Sequence, residues 1–199
     1  MPYANSQRLR KERTRSLFIE VQRMGGPRGI LVFGANGSGK TTLGRELARV
    51  LSAKHLDEEK YRFEKSGIPY TVERSNEECL RLMLADIEAH ENFVVSAVRG
   101  DFGELISSYY KLAVYLAAPL DMRLERIQWR EHERHGARIR EGGDMYESNQ
   151  RFIEFVASRS PARVDEWAAT LTCPLLRVDG AVDWRVSAAQ VAEVFRGLP

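Results

Sequence analysis

The segment Ile30–Thr42, ILVFGANGSGKTT, limits the possible folds of this chain more than any other stretch. Four apolar residues, Ile30 to Phe33, run into a turn containing Gly34, Gly37 and Gly39, and Lys40, Thr41 and Thr42 then open a helix whose apolar face is Leu43, Leu47, Val50 and Leu51. Glycines let successive backbone N–H groups converge on one point without a Cβ in the way, and a helix N-terminus adds free donors and partial positive charge. That point suits a phosphate. In the pattern G-x-x-x-x-G-K-[ST], Gly34, Ala35, Asn36, Gly37, Ser38 and Gly39 form the cradle, Lys40 reaches the β- and γ-phosphates, and Thr41 offers its hydroxyl to Mg²⁺, with Thr42 beside it. At average composition the pattern arises by accident in on the order of one chain in a hundred of this length. The flanking strand and helix make an accident rarer still, so ATP with Mg²⁺ is the implied ligand.

The rest of the chain alternates short apolar runs with helical patterns. A short strand ends in KHLDEE, with Asp57 at its carboxyl end, and a polar stretch dotted with aromatics follows before a helix carrying Leu80, Met83, Leu84 and Ile87 on one face. The runs Asn92–Val98 and Lys111–Ala117 are continuously apolar, as parallel strands buried on both faces are, and CPLLRVDG supplies a last strand. This order predicts an α/β protein, a parallel sheet with helices on both faces. Ligands of such sheets sit beyond the carboxyl ends of the strands, where Gly34, Asp57, Arg99 and Asp179 gather.

Charge is unevenly placed. Residues 1–28 carry seven basic side chains against Glu12 and Glu20, so that a chain of net charge +2 has a body of about −3 beyond its arm. Leu17, Phe18, Val21 and Met24 fall at helical spacing and predict a helix packed on the body, ending near Gly25-Gly26-Pro27. A solvated extra helix outweighs a nucleic-acid contact for this arm. The expected organisation is therefore an arm over 1–28 and one domain over 29–199. The longest apolar run, Leu112–Leu120, is far too short to cross a bilayer, and no apolar segment leads the chain, which gives an expectation of a cytoplasmic protein without membrane contact. Cys79 and Cys173 stand far apart and read as small buried hydrophobes. Oligomeric state is left open.

Several phosphate-loop machines are excluded by what the chain lacks. No Asn-Lys-x-Asp base-reading motif is present, as a GTPase requires, and Glu141–Asp144 shares only two glycines with an ABC-type signature. Asp101-Phe102-Gly103 stands without a His-Arg-Asp loop, so the protein-kinase reading fails. His132 and His135 have no third metal ligand of suitable spacing nearby. The distinctive feature is arginine. Arg123, Arg126, Arg130 and Arg134 fall within an arc of about 80° on a helix, beside Leu120, Leu124 and Ile127, and Arg138 and Arg140 follow on a loop ending in Gly142-Gly143. Guanidinium forks match phosphate oxygens and never lose their charge, whereas solvated pairing with Glu125, Glu131 and Glu133 is the bland alternative.

With these residues in place the chain resembles the nucleoside monophosphate kinase-like family of P-loop proteins, which includes adenylate, shikimate and gluconate kinases. The likeness spans residues 29–199 and rests on Gly34–Thr42, the second strand ending in Asp57, the passage VYLAAPLDMRLERI, the arginine segment, and a last strand running into Asp179-Gly180. RHGARIREGGDMYESNQRFIEF is similar to a segment of small bacterial ATP-binding proteins without an assigned substrate. The resemblance implies a P-loop fold with a five-stranded parallel sheet, an acceptor region at about 57–75 and a mobile lid at about 130–145. It also implies phosphate contacts from Arg130 and Arg138, and the loop Gly180–Val182 against adenine. Ser96–Gly100 lacks the Asp-Gly-Phe-Pro-Arg run of adenylate kinases and is closer to gluconate kinases.

The expected activity is transfer of the γ-phosphoryl group of ATP to a small acceptor, a hydroxyl metabolite being favoured over a nucleoside monophosphate. Lys40, Arg130 and Arg138 neutralise charge, and Thr41 with Asp57, the latter through water, holds Mg²⁺. Asp57 also orients or deprotonates the acceptor hydroxyl, with Tyr61 and Arg99 as further acceptor contacts. The competing reading is a nucleotide-gated regulatory protein that contacts nucleic acid or a partner through its basic arm.

Overall fold

The structure is a computed structural model and describes residues 26–160 and 162–199. The expected arm helix, apart from residues 26–28, lies outside the described residues.

Five strands form one sheet: β1 (Arg28–Phe33), β2 (Lys54–Asp57), β3 (Asn92–Ala97), β4 (Tyr110–Ala117) and β5 (Leu175–Asp179). Their spatial order is β2-β3-β1-β4-β5, and every neighbouring pair is parallel. Eight α-helices connect and flank them: α1 (Lys40–Val50), α2 (Glu58–Arg62), α3 (Asn76–Glu88), α4 (Gly103–Ser108), α5 (Leu120–His135), α6 (Tyr146–Ser158), α7 (Ala162–Ala168) and α8 (Trp184–Arg196), all among the described residues. A 3₁₀ turn, Gly136–Ile139, follows α5.

Strand alternation sorts the side chains into two cores. Leu31 and Phe33 of β1, Phe93 and Val95 of β3, and Ala113 and Tyr115 of β4 face Met83 and Ile87 of α3, Ile106 of α4 and Val164 of α7. Ile30, Val32, Val94, Leu112 and Val114 face Leu43 and Leu47 of α1 and Val191 and Phe195 of α8. The central strands are buried on both sides, which is why they read as unbroken apolar runs. β5 is an edge strand and alternates between exposed and half-buried residues.

The same parity places the chemistry. Asp57 lies opposite Ser96 in the β2–β3 register, and His55 is two residues back on the same face, so all three point to the side on which α1 packs. The central strand β1 sends its connection to β2 on one side while β3 crosses to β4 on the other, leaving a crevice at the carboxyl end of β1. The loop Gly34–Gly39 fills that end.

Sequence and structure differ along α5. The expected apolar arc was Leu120, Leu124 and Ile127, but only Ile127 of these is fully buried, and the buried stripe is Arg123, Ile127 and Glu131. Arg123 is buried against the loop after β1, where it donates to the Asn36 carbonyl, and Glu131 is buried in a pair with Arg130. Among the described residues no helix is long and apolar enough to cross a membrane.

Candidate functional site

The loop Gly34–Gly39 is built around backbone approaches that a side chain would block. Gly34 has φ +149°, and a Cβ there would lie 2.3 Å from the Leu116 carbonyl oxygen; Gly37 has φ +81°, and its Cβ would lie 2.4 Å from that of Arg123. The loop is thus pressed between β4 and the start of α5. Helix α1 begins at Lys40 behind Gly39, with no side-chain cap and no acidic residue in its first turn, so its N-terminal donors are left to a ligand. The hydroxyl of Ser38 is buried and has no partner among the described residues. A donor-rich cradle with an orphaned buried hydroxyl fits a phosphate chain.

Lys40 folds back over the loop and donates from Nζ to the Ala35 carbonyl at 2.9 Å. Burial lowers its pKa to about 8, against the opposing pull of Glu59 and Glu58. A desolvated ammonium without a full counter-charge is what an arriving phosphate would stabilise.

A cleft of about 420 Å³ opens over this cradle. Asn36 to Thr42, Asp57, Arg126, Arg130 and Gly180 line it, together with Arg134, Glu58 and Glu59. Residues far apart in sequence, the loop, the end of β2, the middle of α5 and the turn after β5, thus converge on one volume. Asp57 is only 7% exposed, and although it stands at the N-cap of α2 its side chain does not cap that helix. Asp57 and Thr41 both line the cleft. An oxygen donor set of one hydroxyl and one carboxylate fits Mg²⁺, which takes few protein ligands and completes its shell with water and phosphate oxygens. Among the described residues no group of three or more His, Cys, Asp or Glu side chains could hold a metal ion by itself.

The arginines of α5 divide into two kinds. Arg123 is 5% exposed and donates to the carbonyls of Ala118 (3.2 Å) and Asn36 (3.3 Å). Arg126 spans the Ser38 carbonyl at 3.3 Å and the Gly180 carbonyl at 2.8 Å. These two brace the loop. Arg130 and Arg134 reach the cleft; Arg130 is paired with Glu131 at 2.8 Å, and Glu131, itself 6% exposed, also approaches His135 at 3.5 Å. Arg138 lies outside the cleft, bound bidentately to Asp144 at 2.7 and 3.0 Å and to the Gly67 carbonyl at 3.2 Å. Arg134 donates to the Tyr70 hydroxyl at 3.4 Å, so the segment 130–145 rests on the segment 57–75.

Tyr61 lines neither this cleft nor its neighbour; its hydroxyl donates to Asp86, and burial with that carboxylate raises its pKa well above the usual phenol range. Arg99 is found in an adjoining cavity of about 610 Å³ that shares Asn36, Glu58, Glu59 and Val98 with the first. Two tryptophans escape sequence reasoning: Trp129, 67% exposed, and Trp184 both line the cleft, as Gly180 and Val182 do. An exposed tryptophan one residue before Arg130 on a polar helix was the available signal.

Beneath the cradle a buried polar chain connects β2, β3 and α1. Ser96 Oγ donates to the Lys40 carbonyl at 3.1 Å and lies 2.9 Å from His55 Nε2. Since the hydroxyl proton is committed to the carbonyl, His55 donates from Nε2 and is the neutral tautomer carrying that proton. Burial, with Arg45 and Lys60 nearby, lowers the His55 pKa to about 4. Gly44 makes room for the pair, since a Cβ there would lie 2.2 Å from Ser96 Oγ.

Comparison with known proteins agrees with this architecture. The AAA domain family matches residues 30–150. The chain is 33% identical over 158 residues to the Bacillus subtilis (strain 168) protein YqaC, covering 75% of this chain and 87% of that protein. The crystal structure of shikimate kinase from Bacteroides thetaiotaomicron superposes with a TM-score of 0.56 at 17% identity over 85% of this chain and 98% of that one, a likeness of fold. The chain belongs to the AAA domain family.

Proposed function

We propose that the protein is an ATP-dependent kinase that transfers the γ-phosphoryl group to a hydroxyl of a small acceptor. The observation that carries this reading is Asp57: a buried carboxylate, not used to cap its helix, that shares one cleft with Lys40, Thr41 and Arg130. Lys40 and Arg130 neutralise charge that develops on the transferring group, and Arg138 joins them once it leaves Asp144. Thr41 and Asp57 would hold Mg²⁺, which supplies charge neutralisation at the phosphate oxygens when bound. Asp57 takes the acceptor proton, worth roughly 10²–10⁴-fold in rate.

The test is phosphoryl transfer by Asp57→Asn across a Mg²⁺ series, using whichever acceptor a thermal-shift screen with a non-hydrolysable ATP analogue selects. A loss of about 10²-fold or more that persists at saturating Mg²⁺ is expected. Full recovery at high Mg²⁺ assigns Asp57 to metal placement alone and moves the preferred acceptor to a nucleotide.

A further inference from the structure

Three charged residues are buried among those described: Asp57, Arg123 and Glu131. The first lines the cleft and the second braces the phosphate loop, but Glu131 has no task in the proposed transfer. Arg130 holds it from one side, with Nε and a terminal nitrogen both 2.8 Å from Oε1. On the other side His135, one turn further along α5, stands with Nε2 3.5 Å from Oε2. The Arg130 guanidinium is at the phosphate end of this row: it lines the cleft and adds to burial in lowering the Lys40 pKa.

One carboxylate is thus offered two cations, and one of them is the arginine that the transfer needs. A phosphate in the cleft draws Arg130 toward it, and each hydrogen bond made there is taken from Glu131. A buried carboxylate stripped of its partner is strongly unfavourable. His135 is the group placed to replace that partner, being nearly as enclosed as Glu131 and in the last turn of α5, where free carbonyls favour a cation. A carboxylate only accepts, so the neutral imidazole carries its hydrogen on Nε2, and the proton that makes it a cation comes from solvent to Nδ1.

The other charges around the imidazole do not take over this role. Arg134 precedes it and donates to the Tyr70 hydroxyl, and His132 is exposed on the same helix. Asp144, beyond the 3₁₀ turn, is bound by Arg138 and is near enough for the imidazole to add to that arginine in lowering its pKa. Helix α6, which also packs on α5, carries the exposed pair Glu147 and Arg151, 3.4 Å apart, with Tyr146 and the exposed Glu154. The departure of Arg138 from Asp144 that the proposed function requires would favour the imidazolium further.

We propose that Glu131 and His135 are positioning residues for Arg130: Glu131 holds the guanidinium at the cleft until nucleotide arrives, and His135 takes up a proton as Arg130 transfers to the phosphates. This deepens the kinase reading and rests on its placement of Arg130 at the phosphates. Nucleotide binding then carries proton uptake with it, and by reciprocity affinity falls as pH rises through the titration of the imidazole.

The test titrates the full chain calorimetrically with a non-hydrolysable ATP analogue and Mg²⁺ at about pH 7, in buffers of different ionisation enthalpy, which gives the protons taken up per analogue bound. Wild type should take up at least about 0.3 proton more than His135→Gln, and Glu131→Gln should lose about half of that difference or more. Protons contributed by Lys40 and by the analogue are common to all three proteins and cancel. Wild type should also bind the analogue about fivefold or more tightly than His135→Gln near pH 6, a gap that closes by about pH 9, where neither protein has the imidazolium. A merely structural histidine would leave a gap indifferent to pH. Imidazole NMR of the wild type needs no variant at 131 or 135: one histidine midpoint should rise by about one pH unit or more when the analogue is added, with His90→Gln and His132→Gln, both exposed, and the acidic titration of His55 assigning it by elimination. Equal uptake in wild type and His135→Gln, an affinity gap indifferent to pH, or no rising midpoint each overturns the proposal. Failure to bind the analogue at all would remove the kinase reading, and the proposal with it.

Discussion

Lys40 shows how a single residue is held ready. Its ammonium is hydrogen-bonded to the Ala35 carbonyl and its pKa is lowered to about 8 by burial, so it is mostly charged at neutral pH and loses that charge a little above it. ATP-analogue affinity should therefore fall as pH rises through about 8, and Lys40→Ala should bind more weakly and lose this dependence, as isothermal titration across pH would read. The same variant should lower phosphoryl transfer by several orders of magnitude, because the missing charge faces the β–γ bridge. His55 provides a second readout. Its folded pKa of about 4 lies below the ordinary 6.5, so in that interval the unfolded chain binds more protons. Its contribution is complete above about pH 6.5 and is lost as pH falls toward 4, by up to about 3 kcal/mol. Denaturant midpoints for wild type and His55→Gln should converge on acidification, because the variant lacks the titrating group.

At the scale of elements, α5 is the piece that joins the site. Arg126 on it bridges Ser38 in the phosphate loop and Gly180 after β5, contacts separated by 88 and 54 residues in sequence. Arg126→Ala should cost about 1–3 kcal/mol of stability and weaken nucleotide binding by roughly tenfold, seen together in thermal melts with and without the analogue. Arg126→Lys should recover little, since one ammonium cannot serve two carbonyls in the geometry of a planar fork. The sheet itself was legible in advance: the apolar runs of β1, β3 and β4 and the position of Asp57 followed from periodicity and from the spacing around Gly34–Thr42. The division of labour among the arginines was not. Helical spacing puts Arg123, Arg126, Arg130 and Arg134 on one stripe, but which of them meets a carbonyl and which meets open cleft depends on what lies opposite, and that is set by the close approach of Gly37 to Arg123. Arg159 and Arg163, which line the adjoining cavity with Arg99, belong to no motif at all.

For the molecule as a whole, the loop, the cleft and the adjoining cavity are formed, among the described residues, by residues from Gly34 to Ser187. Deleting residues 1–24 should leave analogue affinity within a few-fold, measured by titration of the truncated protein. A truncated chain that stays folded and loses binding would make the basic arm part of the site, and steep salt-dependent binding of DNA or RNA lost on truncation would favour a regulatory role. Within the described domain, α5 is held differently at its two ends. Its first two turns are pinned to the phosphate loop through Arg123 and Arg126, whereas its far end passes at Gly136, with φ +53°, into the segment that carries Arg138. The helix is a beam clamped at its base, and Gly136 is the nearest compliant joint. The move of Arg138 from Asp144 to the cleft that the proposed function requires would pivot there or beyond, and would leave the loop Gly34–Gly39 undisturbed.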